Sequence, residues 1–192
     1  MRIEFFFDFG SPASYLAWTQ LAKLEAAGEV ALRPFLLGGV FKATGNNSPV
    51  TVPAKGKWMT EDLHRWADAY GVPLKFPRSF PLNTIAPMRG AAALEGDARF
   101  PTYVQAVYEA MFGRGEDISD PETLRAALKG AGLDAKAILG SMTEEPVKAK
   151  LKATTEEAIA RGAFGAPTFF VADQMHFGND RIDWVIRAAK PA

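Results

Sequence analysis

Ser11 stands where an apolar run gives way to a helical pattern, within Phe5-Phe6-Phe7-Asp8-Phe9-Gly10-Ser11-Pro12-Ala13-Ser14-Tyr15. Serine is a preferred helix N-cap, and proline is favoured at the first helical position, where its missing N–H costs nothing. Apolar residues then recur at Tyr15, Leu16, Trp18, Leu21, Ala22 and Leu24, close to the helical period. The spacing predicts a strand-to-helix junction with the Ser11 hydroxyl at the positive end of a helix. A plain N-cap is one reading of that hydroxyl. A group held ready for chemistry is the other, and residues later in the chain bear on the choice.

Other kinds of chemistry are excluded early. The 192-residue chain has no cysteine, so it has no disulfide, no thiolate metal site and no cysteine nucleophile. Its two histidines, His64 and His176, lie far apart in sequence and fall short of a zinc ligand set. Lys+Arg and Asp+Glu balance at 22 each, which gives no electrostatic case for nucleic acid or an anionic membrane as partner. Glu4 and Asp8 interrupt the N-terminal apolar run, so it does not read as a secretory signal. No run approaches the roughly 18 apolar residues of a membrane span. A cytoplasmic protein is expected, and 48% hydrophobic residues can build a real core.

The elements that must position Ser11 can be read in order. Arg2 to Asp8 reads as a strand, Pro12 to about Ala27 as a helix capped by Gly28, and Val30 to Leu37 as a strand ended by Gly38-Gly39. Strand, helix and strand in so short a span form a βαβ unit with parallel strands. From Val40 to roughly Gly162 the pattern is helical with Pro-rich connectors. Gly45 to Pro53 is a polar loop, and Val72 to Pro81 holds three prolines and cannot be a regular element. Helices are predicted over Met59–Tyr70, Thr84–Glu95, Pro101–Phe112, Pro121–Gly130, Asp134–Met142 and Glu145–Ala160. Thr168–Val171 and Gln174–Phe177 read as strands paired across Ala172-Asp173, followed by a helix over Ile182–Ala189. This order predicts an α/β, thioredoxin-like fold with a large inserted α-helical domain. Residues 1–38 and 163–192 would form the thioredoxin-like part, and residues 39–162 the insertion.

The stretch Phe7 to Ala17 resembles the opening motif of the 2-hydroxychromene-2-carboxylate isomerases. These are relatives of kappa-class glutathione transferases and of bacterial disulfide oxidoreductases with an inserted helical domain. Asn46 to Met59, Gly165-Ala166-Pro167-Thr168 and Phe177-Gly178-Asn179-Asp180-Arg181 resemble the same family, so the likeness runs the length of the chain. Beside the oxidoreductases, Ser11-Pro12-Ala13-Ser14 occupies the place of their Cys-x-x-Cys. A hydroxyl cannot form a mixed disulfide, so thiol–disulfide exchange is ruled out. The helix end that favours a thiolate would remain. The resemblance implies that the thiol comes from outside, as the cofactor glutathione.

The same resemblance implies a catalytic Ser11 whose hydroxyl donates to the glutathione sulfur. It implies a cradle of Asn46, Lys55, Ala166, Pro167, Asn179 and Asp180, with a cis Ala166-Pro167 bond. Plainer readings stand beside these. Asn179-Asp180 suits a helix cap with Asp183 three residues on, and Asn46 and Lys55 suit a solvated loop after the second strand, with Lys57 a nearby competitor. Arg89 and Arg181 suit surface ion pairs better than anchors for a substrate carboxylate. Phe41, Trp58 and Phe80 suit packing better than a wall for an aromatic substrate. The implied reaction interconverts 2-hydroxychromene-2-carboxylate and trans-o-hydroxybenzylidenepyruvate, a step of naphthalene-type degradation, by thiolate addition, bond rotation and elimination. The implied partners are a small aromatic 2-oxo or 2-hydroxy acid and a second copy of the chain in a homodimer. A glutathione transferase or peroxidase acting on another electrophile is one alternative; a redox-inactive peptide-binding module using Pro167 is another.

Overall fold

The sheet forms around the strand that supplies buried phenylalanines to both of its faces. In the computed structural model, which describes residues 1–190, β1 (Arg2–Phe7) lies between β2 (Glu29–Pro34) and β3 (Thr168–Val171), with β4 (Gln174–Phe177) at the edge. β2 runs parallel to β1, whereas β3 runs antiparallel to both β1 and β4. Period-two alternation sends Ile3, Phe5 and Phe7 to one face and Phe6 to the other, and all four are fully buried. Phe5 stacks on Phe169 at 4.7 Å, and Phe6 meets Phe35 and Phe170 edge-on. Each buried phenylalanine contributes about 1.5–3 kcal/mol, which makes β1 the anchor of both layers.

The helix expected over Pro12 to Ala27 is two helices, α1 (Pro12–Trp18) and α2 (Leu21–Glu25). Thr19 turns its hydroxyl back onto the Leu16 carbonyl, and Gln20 leaves helical geometry at φ −102° and ψ 13°. Gly28 is required for closeness rather than for capping, because the Met1 carbonyl oxygen occupies the place of a Cβ. β2 stops at Pro34, and α3 (Leu37–Thr44) follows where Gly38-Gly39 read as a stop. A short 3₁₀ turn, Pro49–Thr51, leads into α4 (Pro53–Tyr70). This helix starts at Pro53, a favoured first residue, rather than at Met59. Lys55 is therefore in the first turn of a helix, not in the polar loop expected from the sequence.

The chain continues through α5 (Ile85–Leu94) and α6 (Phe100–Tyr108), which widens into a π-helical turn over Glu109–Arg114. Then come α7 (Pro121–Gly130), capped by Asp120, α8 (Ala135–Ser141), α9 (Glu145–Ala160) and α10 (Ile182–Ala189). Val40 of α3 and Ala158 of α9 cover the Phe6 face of the sheet together with Phe35, Ala163 and Phe170. On the other face Phe7 and Phe9 meet Tyr108, and one apolar core runs from the strands into α5, α6, α7 and α8. Among the described residues no helix is long and apolar enough to cross a membrane.

Gly90 marks the tightest crossing in this core. A Cβ there would collide with the Tyr103 hydroxyl and the Met142 methyl. The hydroxyl cannot yield freely, since it donates to the Pro87 carbonyl at 2.7 Å. Gly90→Ala is expected to destabilise the fold by about 1–3 kcal/mol, read as a lowered urea midpoint. An unchanged midpoint would contradict the packing described.

Candidate active site

The sheet order decides what meets at the site. Because β1 and β3 are antiparallel, with Phe6 opposite Thr168, the residues that follow β1 lie beside those that precede β3. Ser11 and Ala166 therefore share one end of the sheet. Because β2 is parallel to β1, Leu37 and the start of α3 arrive at that end too.

Ser11 is the N-cap of α1 (φ −101°, ψ 109°) and is 4% exposed. Its Oγ accepts from the Ser14 amide at 3.1 Å and donates to the Ala166 carbonyl at 2.8 Å. The cap reading of Ser11 therefore holds, and the same hydroxyl also reaches across to Ala166, just ahead of β3. The Ala166-Pro167 bond is cis. The Pro167 carbonyl accepts from the Gly178 amide at 3.0 Å, which fixes Gly178-Asn179-Asp180 beside it. Gly178 sits at φ +107°, and the Asp180 Oδ1 fills the place of a Cβ, so only glycine fits.

Asn179 is buried, its carbonyl accepts from the Tyr70 hydroxyl at 3.0 Å, and its Nδ2 has no hydrogen-bond partner among the described residues. Asp180 is exposed and pairs with Arg181 at 3.3 Å, so Arg181 takes the surface role expected of it. Asn46 lies in the loop after α3; its Nδ2 donates to the Phe164 carbonyl at 2.8 Å, two residues before Ala166. Lys55 is exposed, with no hydrogen bond or ion pair among the described residues. The structure therefore joins Ser11 to Ala166 and Pro167, ties in Asn179 and Asp180 through the Gly178 amide and Asn46 through its own side-chain amide, and leaves Lys55 unattached among the described residues. Trp58 is 59% exposed, whereas Phe80 packs against Phe76 and Phe112.

Sequence reasoning missed Asp8. It is 2% exposed, yet its carboxylate takes three donors: the Gly10 amide at 2.8 Å, the Leu37 amide at 2.8 Å and the Thr84 hydroxyl at 2.7 Å. Its own carbonyl accepts from the Ser11 amide at 3.0 Å. Burial pushes the Asp8 carboxyl above the ordinary aspartate value, and the hydrogen bonds from Gly10, Leu37 and Thr84 offset only part of that. The available signal was a lone acid inside a phenylalanine run, Phe7-Asp8-Phe9, where an unpaired charge would be costly.

Comparison with known proteins places this geometry in a family. Residues 2–188 match the family model described as DSBA-like thioredoxin domain. The chain is 37% identical to the 2-hydroxychromene-2-carboxylate isomerase of Sphingobium xenophagum, over 95% of each protein. It is 32% identical to glutathione S-transferase kappa 1 of Homo sapiens, over 94% of this chain and 87% of that one. A solved 2-hydroxychromene-2-carboxylate isomerase superposes with a TM-score of 0.88 at 33% identity, covering 98% of this chain and 94% of the other. The chain belongs to the DsbA-like thioredoxin family, in the branch of the 2-hydroxychromene-2-carboxylate isomerases and kappa glutathione transferases.

The raised Asp8 titration has a definite sign. A carboxyl whose folded-state value lies above its unfolded one contributes stability that is fully present at low pH and lost as pH rises through the folded value. Relative to Asp8→Asn, the wild-type protein is therefore expected to lose stability as pH climbs from about 4, the unfolded aspartate value. Lost hydrogen bonds in the variant add an offset but no slope. Urea midpoints of both proteins across pH measure the difference, and a slope of the opposite sign would refute a raised value.

Proposed function

We propose that this protein is a glutathione-dependent isomerase that interconverts 2-hydroxychromene-2-carboxylate and trans-o-hydroxybenzylidenepyruvate. The observation that carries the reading is the Ser11 hydroxyl bound to the Ala166 carbonyl, next to the cis proline, where thiol relatives would carry a cysteine. The residues present fit glutathione. Among the described residues a buried Asn179 amide lacks a partner, Asp180 and Lys55 offer opposite charges on separate elements, and the tripeptide carries both carboxylates and an ammonium. Glutathione, when bound, would supply a thiolate able to add to a conjugated alkene and to be eliminated again after bond rotation.

The chain's own residues prepare that chemistry. Ser11 has a single hydroxyl proton, and in the free chain it goes to Ala166. Rotation about its Cβ–Oγ bond would direct the same proton to a sulfur anion while Oγ keeps the Ser14 amide. The Ala166 carbonyl, freed of that proton, would be open to a backbone N–H of the tripeptide. Lowering a thiol's pKa by two units requires about 2.7 kcal/mol. The seven residues of α1 make a short dipole, at the low end of the usual ~0.3–1 kcal/mol. The hydroxyl, at ~1.5–3 kcal/mol for a bond to a charged partner, must supply most of it. Asn46 and Lys55 would hold one end of the tripeptide, and Asn179 and Asp180 the γ-glutamyl end. The cytoplasm suits the reading, because thiols are kept reduced there.

Ser11→Ala is expected to lower turnover about a hundredfold, as removal of a charge-stabilising donor does elsewhere. Glutathione affinity by calorimetry should stay within a few-fold, and circular dichroism should show a folded protein. Near wild-type turnover in that variant would reject the role. Glutathione consumed in step with product would favour a transferase over an isomerase.

A further inference from the structure

We infer that Asp8 is a positioning residue that sets the Ser11 hydroxyl against the helices of the inserted layer, a role that rests on the proposed function. Three separate segments converge on its carboxylate. Oδ1 takes the Gly10 amide and the Thr84 hydroxyl, and Oδ2 takes the Leu37 amide. Gly10 immediately precedes Ser11, Leu37 opens α3, and Thr84 immediately precedes α5. One side chain thereby ties the Gly10-Ser11 loop to α3, which leads into the Asn46 loop, and to α5, which opens on the exposed Ile85.

Two features set this apart from ordinary core polarity. The first is stereochemical. Each carboxylate oxygen faces a backbone N–H that cannot turn away, so asparagine in either orientation leaves one amide opposite a donor. Only an acceptor at both positions satisfies the frame. The second concerns Thr84. It occupies the N-cap position of α5, where a threonine hydroxyl ordinarily accepts from its own helix, yet it makes no such bond and donates to Asp8 instead. The local cap of α5 is given up for a bond reaching 76 residues back along the chain. Gly10 is seated in the same frame, because a Cβ there would lie 3.3 Å from the Asp8 Oδ1 and 3.5 Å from the Thr84 hydroxyl.

The test compares Asp8→Asn, Thr84→Val and Thr84→Ser with the wild type. The threonine pair changes no charge and leaves both backbone bonds to Asp8 available. Measured quantities are glutathione Kd by calorimetry, the ultraviolet thiolate band of bound glutathione, and kcat and KM for the isomerisation. Expected is a fall in kcat of about tenfold or more for Asp8→Asn, since small misplacements of reacting groups are costly. Thr84→Val should show a smaller fall in kcat and a weaker thiolate band, and Thr84→Ser should restore both, with Kd and KM within a few-fold throughout. A purely structural role would lower the melting temperature but leave kcat of the folded protein and the thiolate band untouched. Folded Asp8→Asn with wild-type kcat overturns the inference. If Asp8→Asn does not fold, the threonine pair decides, and equal kcat and thiolate band for Thr84→Val and Thr84→Ser overturns it. Wild-type protein that binds no glutathione sinks the proposed function and this role with it, a result visible before any variant is made.

Discussion

The hydrogen bond from Ser11 to Ala166 spans 155 residues and is where the two ends of the fold become one site. It exists because β1 is central. One neighbour, β3, runs against it and delivers Ala166-Pro167; the other, β2, runs with it and delivers the start of α3. A strand at the edge could receive only one of these. The phenylalanine run that buries β1 on both faces thus fixes the meeting of Ser11 and Ala166 as well as the core.

Stability and function pull apart around Asp8. A carboxylate buried beside Phe7 and Phe9 carries no cation, and three donors only partly offset its desolvation. An apolar residue of similar size would make a cheaper core. What the acid supplies is a fixed relation between the Gly10-Ser11 loop and two helices packed on the sheet. Tyr15 and Tyr70 act similarly at longer range, their hydroxyls bonded to the Pro73 and Asn179 carbonyls. The strand layer and the helical layer are joined by polar ties at the site and by aromatic packing elsewhere.

Much of this was legible in the sequence. The Ser11-Pro12 junction, the closing hairpin and α10 follow from capping preference, alternation and helical period, which act locally. The element order then led to the thioredoxin-like fold, and the motif order to the family. The misreadings have local causes. Gly38-Gly39 suggested a stop, but Gly39 sits in α3 against the Thr155 methyl of α9, a contact from far along the chain. The break at Thr19-Gln20 depends on a hydroxyl turning back on its own helix, which propensity does not register. Lys55 looked like loop because the polar residues before Pro53 masked a helix start. Asp8 stood out only as an acid in a phenylalanine run, and Thr84 not at all, because their partners lie far along the chain. Their meaning lies in a meeting that only the tertiary fold arranges.

The central place of β1 also has a consequence during synthesis. An emerging chain can pair β1 with β2 as soon as Pro34 has left the ribosome, because the βαβ unit is local. The second edge of β1, lined by Ile3, Phe5 and Phe6, has no partner until Thr168–Val171 follows almost the entire chain later. For that interval a strongly apolar strand keeps an open hydrogen-bonding edge, the form of surface that recruits wrong partners. The helices made in the meantime can cover the Phe7 and Phe9 face, but the edge itself stays open until the last hairpin arrives.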